Sequence, residues 1–193
     1  MSFIVESNNK PRPLPPFGTQ LARLVQIIDL GTQKEEGTDQ KTGVKVIRDR
    51  RKARLVWELP TKKAVFREGG EAEPFTVGRN FTLSLDKKAS LSPAVEVIIG
   101  RPLSDAERKS FDISKLLGEA SLLAIAPHQK QDGGASFKVG ATSPLMDGQE
   151  VPPAYNKLVV YQAKEGANDT YQSFPDWLKQ EIAESPEFKR AQG

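Results

Sequence analysis

Apolar residues in this chain recur mostly with a period of two, the signature of strands that bury one face. Leu21 to Leu30 (LARLVQIIDL) is apolar on both alternating sets and ends at Gly31, which predicts a largely buried strand. Ala53, Leu55, Trp57 and Leu59 alternate with Lys52, Arg54 and Glu58, a half-buried strand that Pro60 ends. A third strand takes Phe75, Val77, Phe81, Leu83 and Leu85 on one face and polar residues on the other. Arg79 alone breaks that face, and its charge places this end of the strand at solvent or at a polyanion. From Ser90 the spacing turns helical: Val95, Ile98 and Ile99 precede Gly100 and Pro102, and Ser104 with Glu107 three residues on offers a capping box. Phe111, Ile113, Leu116 and Leu117 supply the apolar side of two short helices or one broken one, with Gly118 as the stop. Ser121–Ala126 and Ser136–Ala141, on either side of an Asp132-Gly133-Gly134 turn, predict two more strands.

The resulting order is three strands, a helical insert, then two strands. It is the order of a five-stranded OB-like barrel with its helix between strands 3 and 4, and it makes the fold mainly β. Another small barrel or an open α+β sheet fits the same order. Three regions follow. Residues 1–16, with Pro11, Pro13, Pro15 and Pro16, are an extended proline-rich segment. Residues 17–145 hold the barrel, and residues 146–193 are a C-terminal extension. Within the extension, Leu158–Tyr161 is an extra strand with three places open to it: closing the barrel, pairing with its copy in a homodimer, or lying free. A polar, acidic linker over Lys164–Gln172 leads to a short amphipathic helix, Phe174–Ile182, with Phe174, Leu178 and Ile182 on one side.

Charge sharpens this picture only when mapped along the chain. Over 193 residues the formal net charge is +3, which by itself predicts no polyanion partner. Between Lys41 and Arg67, however, ten bases face two acids, a local net of +8 that leaves −5 on the remaining residues. In an OB barrel the second and third strands and the loops beside them form the face that holds oligonucleotides or oligosaccharides. The bases fall there, on the second strand and its flanking loops, with Trp57, Phe66, Phe75 and Phe81 interleaved. Lys and Arg that follow a phosphate chain, beside rings on which bases stack, are what sequence-tolerant single-strand binding needs. The competing reading is a solvated basic surface that protects a sheet edge. Trp57, Phe75 and Phe81 lie on the apolar alternation, which favours the core, so Phe66 is the better stacking candidate.

Other chemistry has little to work with. Cysteine is absent, which excludes disulfides and thiolate sites, and the lone histidine, His128, sits beside Pro127 in an expected surface turn. Asp29, Glu58 and Asp86 are isolated carboxylates without metal-ligand spacing. Phosphate-cradling, nucleophile-elbow and dinucleotide-binding glycine patterns are missing. The expectation is a protein that is not an enzyme, uses no cofactor and no metal, and has no membrane segment or leader, working in the cytoplasm.

Several segments resemble a known family: Pro16 to Arg23 (PFGTQLAR), Val25 to Gln33 (VQIIDLGTQ), Arg54 to Leu59 (RLVWEL), Phe81 to Leu85 (FTLSL), Gly100 to Leu103 (GRPL) and Phe111 to Gly118 (FDISKLLG). They look like the OB-type single-stranded DNA-binding proteins of bacteriophages and prophages, found among replication and recombination functions. The resemblance spans roughly residues 16–145, with a weaker echo in Pro-Asp-Trp-Leu of the tail. This chain has a longer basic segment before its second strand than that pattern, and Ser92-Pro93-Ala94-Val95 where charged helix residues are usual.

On this reading single-stranded DNA is the partner. Arg48, Arg50, Arg51, Lys52, Arg54, Lys62, Lys63 and Arg67 contact phosphates, Phe66 and Trp57 stack on bases, and Arg79 and Lys138 extend the groove. The tail carries six acids and one base between Glu165 and Glu187. Its Phe174, Trp177, Leu178 and Ile182 either dock a recombination or replication enzyme or cap the barrel, and its acids are placed to fold back on the basic patch. The alternative function is a protein-interaction module that binds a host or phage enzyme through the same patch or helix.

Overall fold

The longest strands form where the apolar alternation is strongest. β1 (Gly18–Thr38) and β2 (Lys45–Val65) run antiparallel as one long hairpin. Residues 12–39 and 41–193 are described in this computed structural model, so the proline-rich lead-in expected over 1–16 lies outside the described residues as far as residue 11. β3 (Ala72–Thr82) pairs with β2, and β4 (Ala120–Gln129) pairs with Gly18–Arg23 at the start of β1. β5 (Ala135–Ser143) adds to the far side of β4. The order β3-β2-β1-β4-β5 is antiparallel throughout and curls into a nearly closed, OB-like barrel, as the spacing predicts.

Among the described residues β3 and β5 share no ladder. Arg79 spans the seam instead: its Nη1 donates to the Gly140 carbonyl at 2.8 Å, and its guanidinium carbon lies 4.6 Å from the Phe81 ring centroid. The charged position on the apolar face of β3 therefore lies half-buried at the seam, where it helps close the barrel. Leu55, Trp57, Leu59, Val77, Phe81 and Leu123 fill the interior. Leu91 and Val95 of α1 (Leu91–Ile99) join them, and α2 (Asp105–Lys109) and a 3-10 turn (Ile113–Leu116) complete the insert between β3 and β4. The capping box forms as expected, with Ser104 Oγ accepting from the Glu107 N–H and the Glu107 carboxylate accepting from the Ser104 N–H.

β1 does not stop at Gly31. It carries an extra residue at each of two bulges, between Leu24 and Gln26 and between Asp29 and Gly31, and runs on to Thr38. Gly31 has φ +70°, and a Cβ there would lie 2.5 Å from the Ser185 side chain, so glycine is what lets the strand pass under the C-terminal helices. Beyond the first bulge the edge that β4 leaves is taken by β6 (Val159–Tyr161), parallel to Gln26–Ile28. The Leu158–Tyr161 strand is thus paired with β1 of its own chain and does not lie free. Glu58 anchors the approach to it: fully buried, its carboxylate accepts from the N–H groups of Tyr155 (3.0 Å) and Asn156 (2.9 Å) and from Asn156 Nδ2 (2.8 Å).

The expected linker over 164–172 is in fact folded. A 3-10 turn (Ala163–Glu165) and α3 (Asp169–Gln172) precede α4 (Asp176–Ala183) and α5 (Pro186–Gln192). Its apolar content is sparse but well placed, because Tyr171 enters a second core with Tyr161, Ala163, Phe174, Leu178, Ile182 and Phe188. That core closes on Ile28 and Leu30, which point out of the barrel from β1. Thr32 ties α5 down, its N–H and hydroxyl donating to the Glu187 carboxylate at 2.9 and 2.7 Å. Burial pushes the Glu187 carboxyl up, but these bonds outweigh it and leave its pKa below the ordinary value. Among the described residues no helix is long and apolar enough to cross a membrane.

Ile182 is fully buried against the outer face of β1. Ile182→Ala should cost about 2–5 kcal/mol in urea unfolding, whereas a helix merely tethered to the barrel would lose almost nothing.

Candidate nucleic-acid interface

The basic run lies on one continuous strand, so its side chains alternate between two faces. Ala53, Leu55, Trp57 and Leu59 point into the barrel, which puts Arg48, Arg50, Lys52 and Arg54 together on the outer face of β2. Arg51 falls on the opposite face. There its Nη2 donates to Asp29 Oδ2 at 2.8 Å, at the rim of a cavity of about 790 Å³ between the end of the barrel, the α2 region and β6. The hydrogen bond it donates to Asp29 raises the Arg51 pKa further.

Pairing also changes the charge arithmetic. The basic segment expected as a loop ahead of the second strand is itself part of β2. Lys45–Arg51 ladders against Thr32–Thr38, and this brings the acids of β1 beside the bases of β2. Glu35 is opposite Arg48 and Asp49 opposite Lys34; Lys52 Nζ reaches Glu35 at 3.0 Å, and Arg48 lies 3.8 Å from Asp39. From Lys34 to Lys52 the hairpin arm holds seven bases and four acids, so its excess is smaller than β2 alone suggests. Surface pairs of this kind contribute little and are screened by salt, so they compete only weakly with a polyanion. Among the described residues Arg50 has no ion pair, and it is exposed.

Arg54 is the best-defined member of the outer face. Its guanidinium lies over Gly78 of β3, where a Cβ would come within 2.5 Å of Nη2, and its Nη1 donates to Asn80 Oδ1 at 2.9 Å. The Trp177 ring of α4 covers it, 4.9 Å from guanidinium carbon to ring centroid. Asn80 Nδ2 donates in turn to Glu181 Oε1 at 3.0 Å, and Gln33 Nε2 donates to the Glu181 carbonyl at 2.8 Å. Burial raises the Glu181 carboxyl against the pull of Arg54 and Lys52, and burial lowers Arg54. The C-terminal helices therefore sit across the outer face of β1 and β2, beside the cations.

The other expected site residues are dispersed. Trp57 is fully buried, with its ring edge-on to Phe81 at 6.4 Å, and presents no face to a base. Lys62, Lys63, Phe66 and Arg67 lie at the far end of β2. Arg50 and Lys62 are twelve positions apart, roughly 40 Å along an extended strand. Phe66 is no free platform, since it packs edge-on against Phe75 at 5.2 Å with Arg12 on its ring. Lys63 sits 5.6 Å from the Tyr155 ring centroid. Lys138 is exposed on β5 beside the seam that Arg79 bridges. In the tail, Phe174, Leu178 and Ile182 are buried in the second core and are not presented to a partner enzyme, while Trp177 is exposed.

Gly78, Asn80 and Glu181 complete the outer-face cluster, and no spacing in the sequence marks them. Among the described residues no three His, Asp or Glu side chains converge to hold a metal ion. Comparison with family models, curated proteins and solved structures finds no match.

Gly78→Ala should push the Arg54 guanidinium off both Gly78 and Trp177. The expected loss is about 1 kcal/mol in urea unfolding, with a shift in Trp177 emission; unchanged stability and emission would contradict the packing described.

Proposed function

We propose that this protein binds single-stranded DNA without sequence preference, acting by binding alone, with no catalytic step and no cofactor. One observation carries the reading: Arg48, Arg50, Lys52 and Arg54 are aligned on the outer face of β2, the strand whose outer side serves oligonucleotides in OB barrels. Residues two apart on a strand face recur about every 6.6 Å, a spacing that suits successive phosphates of an extended strand. The resemblance to phage and prophage single-stranded DNA-binding proteins agrees with this and suggests a role in replication or recombination in the cytoplasm of a bacterial host. Lys62, Lys63 and Arg67 stand apart from this face and are left out of the primary site.

A second reading, contact with a protein through the hairpin arm, is favoured by Val44 and Ile47, which are exposed among its charges. Under it the cations meet an acidic protein surface. Single-stranded DNA then competes with that partner only if the arm is shared.

Anisotropy of a labelled oligothymidine, titrated at several salt concentrations, tests the first reading. Affinity should fall steeply with salt, and the double reversal Arg48→Glu with Arg50→Glu should flatten the log-log slope by about 1.4, at about 0.7 per lost phosphate contact. Glu181→Gln should tighten binding by roughly 2- to 5-fold, because it removes an anion that faces Lys52 and Arg54. No binding at low salt, or equal preference for duplex, would sink the reading.

A further inference from the structure

The sequence sets Trp177 aside for a protein partner, but the structure puts it on the cationic face. The geometry points to Trp177 and Arg54 as a joint base-stacking platform, an inference that rests on the single-stranded DNA reading above. The chain has two tryptophans, and they differ completely in access: Trp57 is 0% exposed and Trp177 51%. Trp177 is thus an exposed residue, although its neighbours on α4, Leu178 and Ile182, are buried and hold the helix in place.

The open ring is also fixed in orientation. Arg54 stacks on it, Gly78 leaves room for the guanidinium beneath, and Asn80 holds both Arg54 and Glu181. An aromatic ring that is rigid before binding orders few rotamers when a base stacks on it, so most of the stacking energy appears as affinity. Lys52 and Arg50 continue along the same face of β2 and offer charges to the phosphates on one side of the stacked base. Of the acids nearby, Asp176 is paired with Lys179 at 2.9 Å, while Glu181 is held by Asn80 and opposes the phosphates, as the Glu181→Gln prediction above requires.

The two tryptophans make the test direct. With the full-length chain, oligothymidine binding is followed by anisotropy of the label and, in parallel, by intrinsic fluorescence. The wild type should be quenched as anisotropy rises. Trp177→Phe should bind nearly as well but lose the quenching, since Trp57 is out of reach of a base. Trp177→Ala should bind roughly 5- to 150-fold more weakly, with its fold intact by circular dichroism. If anisotropy reports binding while Trp177→Ala keeps wild-type affinity, or binds more tightly because Arg54 is uncovered, the platform is refuted and the DNA reading survives. Quenching that persists in Trp177→Phe refutes it too. An absence of binding by anisotropy at low salt overturns both.

Discussion

A strand whose central stretch, Leu24–Leu30, has no solvent face governs this fold. β1 is apolar on both sides: Leu24 and Ile27 point into the barrel, while Ile28 and Leu30 point away from it, all buried. An ordinary barrel strand needs one cover, and this one needs two. The inner cover is the barrel itself. The outer cover is the C-terminal segment, whose Tyr161, Phe174, Leu178, Ile182 and Phe188 form a second core on Ile28 and Leu30. Every later feature of the interface follows from that second demand, because the helices that bury Ile28 and Leu30 necessarily reach the neighbouring outer face of β2. They bring Trp177 and Glu181 onto Arg54 and Lys52.

The same pairing determines which charges are free to act. Antiparallel register places Glu35 and Asp39 beside Arg48 and Lys52, and Asp29 beside Arg51. A base count along β2 therefore overstates the field, since the ladder supplies the opposing acids. What distinguishes the cations is geometry: those at even positions share one outward face with an exposed indole, and Arg51 is turned to the inner side. Binding by such a face is electrostatic and strongly salt-dependent, with stacking adding to it in a way that does not depend on base identity.

The strand order, the helical insert and the capping box at Ser104 were legible because alternation, helical spacing and cap chemistry are local signals. The doubly apolar run of β1 was legible too, and already implied a cover that a barrel cannot supply. What supplied it was not, since Tyr161, Tyr171 and Phe188 are separated by polar residues and meet Ile28 and Leu30 only in the folded chain. The extension of β1 past Gly31 was hidden for a related reason: glycine reads as a stop, but here it is a bulge under Ser185. Among the site residues, the second-strand cations were legible as a class. Their division between two faces and two ends of a strand twenty-one residues long required knowing that Lys45–Arg51 is strand and not loop. Trp57 and Arg79 belong to the barrel, the first by the alternation itself and the second through a carbonyl, that of Gly140, which no pattern marks.

The central claim is that the outer face of β2, together with α4, receives single-stranded DNA. Hydrogen–deuterium exchange of the full chain with and without oligothymidine tests it most directly. Exchange should slow over Lys45–Arg54 and Asp176–Ala183, with the far end of β2 at Lys62–Arg67 unchanged. Protection confined to that far end, or none anywhere at saturating oligothymidine, would contradict it.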